Sequence, residues 1–233
     1  MSIPEIPLFA VLPDSADSRL LVDLTSHATD LSEALHTLQS AFDSGEDSVL
    51  WFPLTMHAVT AYVRPFIHSN VRDRLDQMTE FPGIPAELQS IHDTIRKYRN
   101  TTVAHSQSDL AMPVAVALLD KDGKVRSVQG WTLLQPMPGA VAKSFDRLIC
   151  AMETIVDDAT KLVAERLRER LRNASPEVIA AWPKPEILAA RDQEFNGARR
   201  RVREPRFTNY WRIDSEIMQE DTRSGSDDSI PEQ

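Results

Sequence analysis

From residue 20 to residue 42 an apolar side chain returns at every third or fourth position: Leu20, Leu24, Ala28, Leu31, Leu35, Leu38 and Phe42. That period winds a single apolar stripe down one side of a helix. Asp14 or Ser15 offers a start cap and Gly45 a stop, so a first helix is predicted to reach about Ser44. The next run, residues 46–70, is apolar nearly all round, with Trp51, Phe52, Leu54, Met56, Val59, Tyr62, Val63 and Phe66. Such a helix belongs in the centre of a bundle or in a dimer interface, and Pro53 fits its first turn or a kink. Arg64 in that setting either has a partner or a ligand or snorkels to solvent near the helix end.

Residues 71–85 form a polar connection, and Pro85 opens a third helix with Ala86, Leu88, Ile91 and Ile95 facing inward. Two β-rich runs, 112–119 and 124–134, flank Asp120-Lys121-Asp122-Gly123, a strong turn signal. They predict one hairpin, inserted in a helical domain and lying against the helices, because a lone hairpin is marginal. The longest helix is predicted over 138–173, where Val141, Phe145, Leu148, Met152, Ile155, Ala159 and Leu162 step by fours and threes.

After Asn173 the pattern changes: Pro176, Pro183 and Pro185 bracket short predicted helices at 178–182 and 185–201. Arg199, Arg200, Arg201, Arg203 and Arg206 precede Phe207, Tyr210 and Trp211. Cations beside aromatics grip single-stranded RNA by charge and stacking, and the same aromatics also suit docking onto the bundle. Residues 214–233 hold seven acids against one Arg and are expected to be a disordered acidic tail. The fold expected is therefore all-α: an up-and-down helical bundle over 14–175 with a hairpin insertion at about 112–134. An extension over 176–213 and the tail at 214–233 follow it.

Composition narrows the picture further. Seven Gly in 233 residues disfavour a β-sandwich or a dinucleotide-binding fold. The single cysteine, Cys150, cannot pair within the chain, which suits a reducing, cytoplasmic setting, and its apolar surroundings predict a buried, inert thiol. No apolar run approaches the roughly 18 residues of a membrane span, and the N-terminal Met-Ser-Ile-Pro-Glu-Ile-Pro does not read as a signal peptide. A formal charge of −9 argues against a general DNA-coating protein but leaves room for a local basic site. His27 and His36 flank the first stripe without companions at ligand spacing, so no metal site and no cofactor are expected.

Chemistry concentrates in Ile91–Ser108, around Arg99-Asn100 and His105. Arg99 carries a permanent charge and a forked donor array matched to phosphate oxygens. His105 is the residue type best suited to proton transfer near neutrality. In a straight helix six residues turn through about 600°, leaving the two side chains roughly 120° apart. Either the helix breaks between them, where the β-branched Thr101-Thr102-Val103 weakens it, or a second copy completes the site.

The sequence Arg-Asn-x-x-x-Ala-His-Ser, entered from a helix, resembles the Arg–polar–spacer–His signature of the HEPN superfamily (higher eukaryotes and prokaryotes nucleotide-binding). The resemblance implies a helical bundle, two protomers sharing one cleft, and a metal-independent endoribonuclease of toxin-like or antiviral type. On that reading Arg99, Asn100 and His105 are catalytic, and Arg64, Arg96, Tyr98 and Ser106 bind substrate. The partners implied are RNA, a second copy of the chain, and an antitoxin or nucleotidyltransferase. The superfamily also contains non-catalytic nucleotide-binding and interaction modules, which stand as the alternative.

Overall fold

The computed structural model describes residues 10–104 and 108–183, with the backbone of 186–188 and 206–208. The chain divides into two units: residues 16–170, and residues 1–15 with 171–233. In the larger unit α1 spans Ala16–Ser44, α2 Trp51–Val63, α3 Gln89–Tyr98 and α4 Gly139–Leu171, the last residue of α4 falling in the other unit. A hairpin of β1 (Ala111–Leu119) and β2 (Val125–Leu134) stands between α3 and α4. A helical fold carrying one antiparallel hairpin is thus what the chain forms.

The helix ends follow local chemistry. Gly45 takes φ +85°, a left-handed conformation, and its N–H donates to the carbonyls of Ala41 and Phe42, closing α1. The second helix starts at Trp51 and not at 46, because Gly45, Asp47 and Ser48 form a turn in which Ser48 N–H bonds Gly45 O. Its α-geometry ends at Val63, since Pro65 has no N–H to continue the ladder; Arg64–Phe66 tightens into a 3-10 turn. The Glu46 carboxylate accepts from Gly139 N–H at 2.8 Å and so sits at the electropositive start of α4.

The core lies among α1, α2, α3 and α4. Tyr62, Phe66, His92 and Phe145 pack as one aromatic cluster, with Tyr62 edge-on to Phe145 at a centroid separation of 5.2 Å. Trp51 Nε1 donates to Met137 O at 2.7 Å and satisfies the one polar atom of a buried indole. The buried stripes are rotated from the predicted ones. In α1 the seam is Leu24, His27, Leu31, Ala34, Leu38 and Ala41, so Ala34 and Ala41 replace Leu35 and Phe42. In α4 it runs through Ile149, Val156 and Val163, leaving Leu162 exposed. The same offset puts Cys150 on the surface, which corrects the buried thiol expected there.

The hairpin also departs from expectation. Its turn is well made: Gly123 has φ +77°, and Asp120 Oδ1 accepts from the N–H groups of Asp122 and Lys124. Yet of its strand residues only Ala111 is buried; Met112, Val128, Trp131, Leu133 and Leu134 are all exposed. These apolar residues are thus open to solvent and not covered by helices as expected, among the described residues.

In the smaller unit, Ser175 caps α5 (Pro176–Ala180), and Val11 N–H bonds Pro183 O at 2.8 Å. Residues 186–188 pair in parallel with 206–208, a short strand pair the sequence did not suggest, which replaces helix at those three positions of the stretch predicted over 185–201; residues 189–201 lie outside the described residues. Pro183 and Pro185, just ahead, favour extended backbone over helix. The acidic segment 214–233 lies outside the described residues.

Candidate functional site

α3 carries the motif to its C-terminal end, and its buried residues, His92 and Ile95, fix it against the core. His92 Nδ1 and Tyr62 Oη share a hydrogen bond of 2.7 Å, and the imidazole stands edge-on to Phe66 at 4.7 Å. Burial lowers the His92 pKa below the ordinary imidazole value, and the Arg96 charge lowers it further. The same burial raises the Tyr62 pKa, so the pair is neutral, hydrogen-bonded packing that sets how α3 presents its next turns. Arg96 and Arg99 follow His92 at i+4 and i+7, positions that share a helix face.

Where the sequence weakens the helix, the backbone changes form. Residues Arg99–Val103 make a π turn, with Ala104 N–H donating to Arg99 O at 2.9 Å. Single π turns inside helices are rare and concentrate at functional sites. The β-branched Thr101 and Thr102 are held by side-chain bonds: Thr101 Oγ1 to Lys97 O at 2.9 Å, and Thr102 Oγ1 with Ser108 Oγ at 2.6 Å. That second bond ties the π turn to Ser108.

Arg99 is half-buried and Asn100 exposed, and Arg99 Nη1 donates to Asn100 Oδ1 at 3.2 Å. Among the described residues no carboxylate forms an ion pair with Arg96, Lys97 or Arg99. Three cations therefore lie within four residues without a contact ion pair among the described residues, and Arg99 has a donor fork suited to phosphate oxygens. Tyr98 is half-buried, its hydroxyl is buried without a hydrogen-bond partner, and burial raises its pKa. His105 and Ser106 lie outside the described residues.

Arg64 is placed elsewhere. Its Nη1 donates to Asp30 Oδ1 at 3.2 Å and to Glu33 Oε2 at 2.6 Å, and Glu33 also meets His57 Nε2 at 2.7 Å. Arg72 bonds the other Asp30 oxygen and Ser26. Arg64 thus pairs with two carboxylates on α1, Asp30 and Glu33. The Arg64 hydrogen bond holds the Glu33 carboxyl below its ordinary pKa.

Two buried histidines escape sequence reasoning. His92 stands out in the chain only as part of the motif run, and its position one turn before Arg96 is the available signal. His27 lies in the α1 seam, its Nε2 bonded to Asp73 O at 3.0 Å and its Nδ1 buried without a partner. Burial, with the Arg72 charge, lowers its pKa to about 4. No group of three or more His, Cys, Asp or Glu suited to a metal occurs among the described residues, and no described helix is long and apolar enough to cross a membrane.

No family model, curated protein or solved structure matches the chain.

Proposed function

We propose that the chain is a HEPN-type endoribonuclease in which Arg99, Asn100 and His105 act on RNA. The observation that supports this reading is the set of Arg96, Lys97 and Arg99, which form no ion pair among the described residues and lie at the end of α3 where it passes into a π turn, with Arg99 bonded to the Asn100 side chain. The ribose 2′-hydroxyl attacks the adjacent phosphorus, the bond from phosphorus to the 5′ oxygen breaks, and a 2′,3′-cyclic phosphate and a 5′-hydroxyl result. His105 transfers one of the two protons involved. Arg99 stabilises charge on the phosphate oxygens by bidentate donation, and on this reading Arg96 and Tyr98 contribute to RNA binding beside it. The attacking group belongs to the substrate, so DNA is not cut. A second copy of the chain supplies the other proton-transfer group across a shared cleft. No metal enters the scheme, as in the superfamily the motif resembles, and a toxin-like or antiviral setting with an antitoxin or nucleotidyltransferase partner follows the same resemblance.

The test is cleavage of single-stranded RNA by wild-type and His105→Ala protein purified identically. A loss of roughly 10²–10⁴-fold in rate, with RNA affinity nearly unchanged and no effect of a chelator, is expected. Equal rates with contaminating nuclease excluded would remove the catalytic reading and leave a nucleotide-binding module.

A further inference from the structure

The β1–β2 hairpin has one blunted edge and one open one. Gln135 N–H donates to Leu110 O, which makes 110 and 135 a hydrogen-bonded pair. The register then runs 111 opposite 134, 113 opposite 132, 115 opposite 130 and 117 opposite 128. Hydrogen-bonded and non-hydrogen-bonded pairs alternate along an antiparallel ladder, so these four pairs turn their backbone groups outward. On β1 the outward row contains Pro113, which has no N–H to offer, the usual way an edge is closed to further pairing. On β2 the outward row is Val128, Gly130, Thr132 and Leu134, with every donor and acceptor intact.

Exposure follows the same asymmetry. Val114, Val116 and Leu118 of β1 are half-buried, whereas β2 leaves Val128 71%, Trp131 47% and Leu133 49% exposed. Among the described residues β2 has no strand on its outer side. From Ser127 to Leu134 it carries no charge, in a chain whose formal charge is −9. That makes it a surface on which two identical chains meet without like-charge repulsion.

We propose that β2 pairs antiparallel with β2 of a second copy, joining two hairpins into one four-stranded sheet. Antiparallel pairing of one strand with itself is two-fold symmetric and self-complementary. It uses the open edge of each copy and leaves Pro113-blunted strands outside, so assembly stops at two chains and does not continue into a fibre. The pairing turns a two-stranded ribbon, marginal alone, into a sheet of a size that is stable. A monomeric wild type would sink both this pairing and the shared cleft, but a dimer that survives Val128→Pro sinks the pairing alone, and the rate of His105→Ala decides the cleavage reaction.

Light scattering across a concentration series tests it on full-length protein. Wild type is expected to be a dimer. Val128→Pro deletes one outward donor without breaking the β1–β2 ladder, and it is expected to be a monomer with unchanged helical circular dichroism. Ala117→Pro, the equivalent change on the already blunted edge, is expected to remain a dimer. Hydrogen exchange on wild type gives a reading independent of any variant: the amides of Val128, Gly130, Thr132 and Leu134 should be protected at high concentration and lose protection on dilution. A monomeric wild type, a dimeric Val128→Pro protein, or exchange at those amides independent of concentration would overturn the proposal.

Discussion

Burial gives His27 a pH dependence that the folded and unfolded chain do not share. The His27 pKa is lowered to about 4 by burial and by Arg72, against an ordinary value of 6.5, so between those values the unfolded chain binds a proton that the folded chain refuses. Stability from this group is complete above pH 6.5 and is lost as pH falls through 4. Its size is about 3 kcal/mol, since each tenfold difference in proton affinity between the two states is worth about 1.36 kcal/mol. Asp30 faces the same ring and pulls the other way, but less than burial does. His27→Gln is expected to flatten the dependence of the urea midpoint on pH over that window; an unchanged slope would show that His27 does not carry it. Tyr62→Phe leaves His92 Nδ1 buried without its partner, and a loss of about 1–3 kcal/mol is expected in the same assay. Neither histidine is legible as buried from sequence, because a histidine beside an apolar stripe suits solvent as well as core. What moves His27 inside is a rotation of the helix carrying it.

That rotation operates on the scale of elements. In α1 the positions Leu24, Leu31 and Leu38 belong to both the predicted and the observed stripe, and in α4 Phe145, Met152 and Ala159 do the same. Between these fixed points either of two adjacent residues completes a three-and-four pattern. In α1 the predicted stripe takes the larger ones, Leu35 and Phe42. The fold buries Ala34 and Ala41, and α2 packing against α1 buries Ala58 and Ala61 of its own, so small side chains fill the seams of both helices. Mutation separates the two stripes in α4. Val163→Ala is expected to cost about 1–3 kcal/mol of unfolding free energy, and Leu162→Ala, at 68% exposure, less than about 0.5. The reverse order in a denaturant series would return the seam to the predicted face. Element boundaries set by backbone chemistry are legible in advance: Gly45 ends α1, the β-branched triplet disturbs the helix after Arg99, and Asp120–Gly123 turns the hairpin.

At the scale of the whole molecule, charge governs how RNA would approach. The chain is acidic overall, so on the proposed reading affinity for RNA would depend on cations such as Arg96 and Arg99 that form no ion pair among the described residues. Arg96→Ala is expected to lower the slope of log affinity against log salt by about 0.7, the single-strand value for one phosphate contact. Arg64→Ala should leave that slope unchanged, since Asp30 and Glu33 already hold its guanidinium. Equal slopes for wild type and Arg96→Ala in a fluorescence titration would take Arg96 out of the interface. The sequence by itself determined the helical class, the order and approximate length of the long elements, and the place of the hairpin and motif. Those follow from hydrophobic period, helix-stopping residues and turn chemistry, all local along the chain. Tertiary structure alone decided which of two adjacent residues faces the core and that Arg64 belongs to Asp30 and Glu33. It also left most of the hairpin's apolar residues exposed. Each of these depends on groups that lie far apart in sequence, and a local pattern carries no record of what will be packed against it.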